Sequence, residues 1–274
     1  MQYVTLNNGV NMPQLGYGVY KVSDDQAVEC VQEALEAGYR SIDTAAFYDN
    51  EIGVGKAIKA SGLDRKDIFV TTKVWNDMQG YDKTLQAFED SLDKLGLDYI
   101  DLYLIHWPCP DFHLYIETYQ ALEHLYKEGK VRAIGVCNFH IEHLQAIIDQ
   151  CDVVPAVNQV ECHPYFQQKE LKDFAYENGI YIECWGPLHQ GGDLLQDEVI
   201  AGIADAYGKT PAQIILRWHL QENSIVIPKS VTPSRIKENI DVFDFELSQD
   251  DMDRIATIDR KERIGREPND MHIR

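Results

Sequence analysis

The chain alternates between short apolar runs and longer segments in which apolar residues recur at helical spacing. The runs lie at 15–19, 40–42, 68–72, 100–105, 133–136, 156–160, 181–184 and 225–227. Each has the length of a buried strand rather than of a helix. Between the first two, the segment 24–37 places Ala27, Val28, Val31, Ala34 and Leu35 on one helical face, with Ser23 as N-cap and Gly38 as stop. The segment 84–95 repeats the pattern and stops at Gly96; 114–126 stops at Gly129, and 171–176 at Gly179. Ahead of all these, Tyr3 to Leu6 and Val10 to Met12 flank Asn7-Asn8-Gly9, a strong hairpin signal.

Strands alternating with helices imply parallel strands joined by crossover helices. A closed α/β barrel of eight strands, a (β/α)8 or TIM barrel with an N-terminal β-hairpin, accounts for the count. It also accounts for the length as one domain over 1–274, since such barrels run to about 250 residues. A doubly wound open sheet is the structural alternative. It would carry a glycine-rich fingerprint after its first strand, where this chain reads Gly18-Val19-Tyr20-Lys21 instead. After Arg263 only a short tail remains. Near it, Asp250 and Asp251 mark a helix start that complements the helix dipole.

Charge narrows the partners. The formal net charge of −20 repels nucleic acid and anionic membranes. No apolar run reaches the roughly 18 residues of a membrane helix. The same field disfavours anionic ligands, so a phosphate-bearing cofactor would need a local basic patch. Cys30, Cys109, Cys137, Cys151, Cys162 and Cys184 form no CxxC pair and no zinc-ligand spacing. With no signal peptide at the start, they are expected as reduced thiols in a cytoplasmic protein. No heptad or exposed apolar stripe stands out, so a monomer is expected.

In a barrel the active site lies at the C-terminal ends of the strands. The residues at those ends are Asp43 with Tyr48 five positions on, then Lys73, His106, Asn138, Gln159, Trp185, and finally Lys229 with Ser230. The first four suit the reduction of a carbonyl, which needs a hydride at carbon and a proton at oxygen. Tyr48 can supply the proton. Lys73 is expected to lower the tyrosine pKa from about 10 towards about 7, which needs roughly 4 kcal/mol of differential interaction. Asp43 would hold the lysine in place, and His106 would donate a hydrogen bond to the carbonyl oxygen. No metal is called for. Taken singly, Tyr48 reads as one of fifteen tyrosines and His106 as a core histidine. Lys73 is the unusual one, because it follows the buried-looking run 68–72. Together, at successive strand ends, they favour chemistry.

A second constellation runs over 227–239. Lys229, Arg235 and Lys237 make it basic in an acidic chain, and Ser230 and Thr232 add hydroxyls. It leads from a strand end into a helix N-terminus, a ready anion site. Barrels often bind phosphate after strands seven and eight.

These strings resemble the aldo-keto reductase family. They are 38–51 (Gly38 to Glu51, holding Asp43 and Tyr48), Lys73-Val74-Trp75, Asp101 to Pro108, Gly135-Val136-Cys137-Asn138-Phe139, Asn158 to Pro164, Trp185-Gly186-Pro187-Leu188, and 227–239. They span nearly the whole chain in the family's order. The resemblance implies a (β/α)8 barrel and NADPH as cofactor, with Asp43, Tyr48, Lys73 and His106 as the catalytic tetrad. It assigns Asn138 and Gln159 to the nicotinamide carboxamide, and Trp185 to stacking on the nicotinamide ring. Cys137, Gly186, Pro187 and Leu188 fall beside them. It assigns Lys229, Ser230, Val231, Thr232, Arg235, Glu238 and Asn239 to the adenosine 2′-phosphate and adenine. Lys229 and Arg235 favour NADPH over NADH. The family usually carries serine where this chain has Cys137, a weaker hydrogen-bonding group. The 185–188 string and the short tail resemble the bacterial branch of 2,5-diketo-D-gluconate and glyoxal or methylglyoxal reductases. A short tail implies an open, tolerant pocket for a small carbonyl substrate, walled by Tyr20, Phe47, Trp75, His106 and Trp107.

Two other functions compete. One is a regulatory barrel that binds the cofactor without useful turnover, against which the intact tetrad argues. The other is a metal-dependent hydrolase using His106, His163 and Glu161. No HxH pair supports it, and His163 sits before Pro164 in an expected loop.

Overall fold

The computed structural model describes residues 1–273. Strands β1 (Tyr3–Thr5) and β2 (Asn11–Pro13) form the expected antiparallel hairpin, with Val4 opposite Met12. Then follow β3 (Tyr17–Gly18), α1 (Asp24–Ala37), β4 (Ser41–Asp43), α2 (Glu51–Ala60), β5 (Phe69–Val74), α3 (Tyr81–Leu95), β6 (Ile100–Ile105) and α4 (Tyr115–Lys127). The second half holds β7 (Val131–Cys137), α5 (Ile141–Gln150), β8 (Val157–Glu161), α6 (Lys169–Glu177), β9 (Tyr181–Trp185), α7 (Glu198–Tyr207), α8 (Pro211–Gln221), β10 (Ile225–Val226), α9 (Pro233–Ile240) and α10 (Gln249–Ala256).

Strands β3 to β10 lie parallel and in chain order. A parallel bridge between Leu15 and Val226 joins the first to the last. Gly16 N–H donates to the Val226 carbonyl and Val226 N–H to the Gln14 carbonyl, both at 2.9 Å. The sheet is therefore closed, and the open-sheet alternative falls.

Two apolar layers hold it. Outside, buried residues of the helices pack on the outward strand faces: Val31 and Leu35 of α1, Phe88 of α3, Leu122 of α4 and Leu144 of α5. Inside, Phe69, Leu102, Leu104, Ala133, Val157 and Ile225 meet Val4, Leu6 and Met12 of the hairpin. The hairpin thus plugs the barrel with side chains. Helix α1 starts and stops where its sequence says. Ser23 accepts from the Gln26 N–H, and Gly38 takes φ 107°, a left-handed conformation that glycine adopts without steric cost. Helix α2 contains Gly53 and Gly55. A Cβ on them would lie 2.1 Å from the Asp24 and Leu95 carbonyl oxygens, so their absence of side chain lets α2 settle between α1 and α3.

Candidate active site

Lys73 lies wholly buried on β5, inside the barrel. Its ammonium is 2.8 and 2.9 Å from the two Asp43 oxygens of β4, 2.8 Å from the Thr44 carbonyl and 3.4 Å from the Tyr48 hydroxyl. Removing such a charge from water costs several kcal/mol unless it is paired and its protons are used. Here every proton has an acceptor. Tyr48 reaches this point from a short 3-10 turn, Ala46–Tyr48, just past β4. Buried Asn50 fastens that loop. It accepts from Thr44 Oγ1 at 2.7 Å and donates to the Val19 and Val22 carbonyls at 3.0 and 2.8 Å.

His106 follows β6 directly. Its N–H donates to the Val74 carbonyl at 3.2 Å. Its ring stands edge-on to Tyr48 (centroids 5.6 Å apart) and Trp75 (5.0 Å). Among the described residues, the buried Nδ1 has no hydrogen-bond partner. The structure thus brings together Asp43, Tyr48, Lys73 and His106.

Their electrostatics correct one expectation. Burial holds the Tyr48 hydroxyl well above the ordinary tyrosine range; Lys73 opposes this, but Asp43 offsets the lysine. The net direction is upward, not towards neutrality. Burial strips the water that would solvate a tyrosinate, and Asp43 takes back part of what Lys73 offers in its place. Burial disfavours the Lys73 charge, yet the attraction and hydrogen bond of Asp43, added to the pull of Tyr48 and Cys137, together outweigh it and the ammonium is kept. Burial, then Lys73, hold His106 well below the usual imidazole range, so the ring is neutral.

Beside the tetrad is an amide layer. Asn138, just past β7, sits left-handed at φ 64°. Its Nδ2 donates to the His106 carbonyl at 3.1 Å and to Cys137 Sγ at 3.2 Å, and its Oδ1 accepts from Trp185 Nε1 at 2.9 Å. The Cys137 thiol donates to Gln159 Oε1 at 3.7 Å. Gln159 Nε2 donates to Asp43 Oδ2 at 2.7 Å and to Glu183 Oε2 at 2.8 Å. Sequence reasoning missed Glu183. Its one signal was an acid in the middle of an otherwise apolar strand. Gly186 continues from Trp185 at φ 62°, leading into buried Pro187 and half-buried Leu188.

The basic segment lies at the same end of the barrel. The Tyr17 hydroxyl donates to the Ser230 carbonyl, and the Thr232 N–H to Ser230 Oγ at 3.1 Å. Thr232 precedes α9, with Pro233 in its first turn. Lys229, Val231, Thr232 and Arg235 are exposed. Lys237 turns away to Glu33 (3.7 Å), Glu238 accepts from Thr210 at 2.8 Å, and Asn239 is buried.

Among the pocket walls, Phe47 stacks on Trp75 with centroids 3.8 Å apart, and Tyr20 lies against Tyr48 at 5.1 Å. The tail overturns the expected openness. It returns to this wall, and Met271 packs with Trp107, Cys109 and Trp75. Asn76 Nδ2 donates to the Ile273 carbonyl at 2.8 Å. The clasp is Glu161, fully buried, which accepts from the N–H groups of Ile264 (2.6 Å) and Gly265 (2.7 Å). A Cβ on Gly265 would lie 2.4 Å from the Trp185 ring, so the tail runs against that indole.

The aldo/keto reductase family model matches residues 6–260. The chain belongs to this family. Among similar proteins, the glyoxal reductase of Bacillus subtilis (strain 168) is 54% identical over 269 residues, covering 98% of this chain and 96% of that one. Methylglyoxal reductase DkgA of Escherichia coli (strain K12) is 51% identical over 267 residues, covering 97% and 96%. The solved structure of a Gox0644 mutant in complex with NADPH superposes with a TM-score of 0.94 at 50% identity, covering 98% of each chain. For an aldo/keto reductase the hydrolase alternative has no place, and the geometry agrees. His163 Nε2 pairs with Glu161 at 3.1 Å, and Glu161 serves the tail. Among the described residues the one trio of metal-ligating groups is Cys162, Cys184 and His219, which leaves out His106.

Proposed function

We propose that this reductase converts a small aldehyde or ketone to its alcohol, with NADPH as hydride donor and Tyr48 as proton donor. The observation that carries the reading is the Tyr48 hydroxyl, 3.4 Å from a buried ammonium that Asp43 fixes, beside a neutral His106.

The cofactor fits the residues present. Exposed Lys229 lies on the loop before α9 and exposed Arg235 in its first turn, in a chain of net charge −20. Their attraction for a 2′-phosphate gives them a purpose that the rest of the surface lacks. Ser230, Val231, Thr232, Glu238 and Asn239 would complete the adenosine site. Asn138 and Gln159, with Cys137, would meet the carboxamide. Trp185 would lie against the nicotinamide, with Gly186, Pro187 and Leu188 following it. When bound, NADPH supplies the hydride.

The chain's own residues supply the rest. Neutral His106 orients the carbonyl by donating to its oxygen. Tyr48, protonated at neutral pH, gives up its proton as negative charge develops on that oxygen. Lys73 stabilises the tyrosinate left behind, and Asp43 keeps Lys73 charged and in place. Tyr20, Phe47, Trp75, Trp107 and Met271 give the pocket aromatic and apolar walls. Together with the relatives' names they point to uncharged carbonyls such as methylglyoxal. The enzyme works as a monomer in the cytoplasm, where its six cysteines stay reduced. In Tyr48→Phe, kcat for methylglyoxal should fall about 100- to 10,000-fold while NADPH quenching of tryptophan fluorescence is unchanged. Wild-type turnover in that variant would defeat the assignment.

A further inference from the structure

The geometry points to Glu183 as a positioning residue of the reaction, acting through Gln159 on the Asp43–Lys73 pair. The inference rests on the proton-donor role of Tyr48 proposed above.

The register of β8 on β9 sets Gln159 directly opposite Glu183. One amide nitrogen then bridges two carboxyl groups, at 2.7 Å to Asp43 and 2.8 Å to Glu183. An amide nitrogen has two protons. Both are used, one on each acid, so the orientation of Gln159 is fixed from two sides. Its remaining oxygen takes the Cys137 thiol. Glu183 therefore steers the same side chain that touches Asp43.

Charge counting gives this contact a consequence. Two buried acids share one cation, and Lys73 is already bidentate on Asp43. Glu183 is fully buried, and its Oε1 has no hydrogen-bond partner among the described residues. A buried carboxylate without a countercharge is among the costliest groups a fold can hold, and keeping its proton removes the cost. Burial and then Asp43 push the Glu183 carboxyl up to about 8, against the pull of Gln159 and Lys73. The titratable groups that face it are Asp43 from β4, Lys73 from β5 and Cys137 from β7. On β10 its neighbour is Ile225. Lys172 of α6, paired with Glu222 at 3.7 Å, lies by Cys184, on the opposite face of β9.

At neutral pH the barrel interior thus holds one balanced pair and one neutral acid. When Glu183 loses its proton, a second negative charge stands beside Asp43. Lys73 is then less able to support a tyrosinate, and Tyr48 becomes a poorer acid. Reduction should slow as pH rises through about 8.

The test is Glu183→Gln, which keeps the shape and removes the titration. The kcat–pH profile for methylglyoxal with NADPH should show a falling step near about 8 in the wild type. The variant should keep its neutral rate within about twofold and lack that step, a split that a merely structural role would not produce. Superimposable profiles would overturn the proposal. A second measurement needs no variant. Infrared titration of wild-type enzyme labelled with 13C-carboxyl glutamate should show a protonated, buried carboxyl C=O stretch at neutral pH that disappears in alkali. Its absence would overturn the proposal equally. This readout uses no substrate. Failure of the wild type to reduce any carbonyl would sink the functional reading instead and leave the titration standing.

Discussion

The tetrad and the basic segment hold charge in opposite ways. Lys73 is sealed in the barrel, with each proton committed to an acceptor before any ligand arrives. Lys229 and Arg235 stand in solvent on a loop and a helix start. The first arrangement suits chemistry, because a charge fixed in a dry site acts without reorganising. The second suits capture, because an exposed cation attracts a phosphate from a distance and releases it again. The difference teaches that burial, not charge alone, separates a cation held ready inside the fold from one left free to meet a ligand in solvent.

Three substitutions press on that contrast. The largest effect is expected in Lys73→Met, which leaves Asp43 buried without its cation. Urea denaturation should show a loss of about 3–5 kcal/mol, partly restored by adding Asp43→Asn. An unchanged midpoint would mean that the buried pair carries no stability. Next comes Arg235→Ala. NADPH affinity should fall about tenfold and NADH affinity hardly at all, with the gap closing as salt is raised. Equal losses for both cofactors would remove Arg235 from the 2′-phosphate. The smallest effect is expected in Cys137→Ser. A hydroxyl is a stronger donor than the thiol at the 3.7 Å contact to Gln159 but reaches less far from the backbone, and kcat/KM should move by no more than about threefold. A larger gain would show that the thiol limits cofactor placement.

Much of this site was legible in the chain because strand ends announce themselves. Asp43, Lys73 and His106 each follow or close an apolar run, and the runs themselves were visible as strands. Helices α1, α3 and α4 were legible for the same reason, each having one apolar face and a stop. Helix α8 was not. Its positions 213–220 are all buried, including Gln213, Arg217 and His219, so no polar face marks its period. Helix α2 hid behind Gly53 and Gly55, poor helix formers retained for close packing. Two acids escaped for a deeper reason. The hold of Glu161 on the tail and of Glu183 on Gln159 runs through partners 103 and 24 residues away, and local spacing carries no trace of either contact. The upward push on Tyr48 escaped likewise, since it depends on burial and on Asp43 acting against Lys73.

The Glu161 clasp has a bearing on how such an enzyme diversifies. It grips two main-chain amides, with the Arg263 side chain 4.0 Å away as a further partner, so much of the attachment does not depend on the identity of the tail's side chains. Gly265 is bound to its identity by the indole of Trp185 beneath it. Met271, further on, is buried against Trp107 and Cys109, and an exchange for another apolar side chain of similar volume would reshape that wall at little cost. Mutation can therefore try new substrates on a segment whose anchor is insensitive to what it carries, while the barrel that performs the reaction is inherited unchanged.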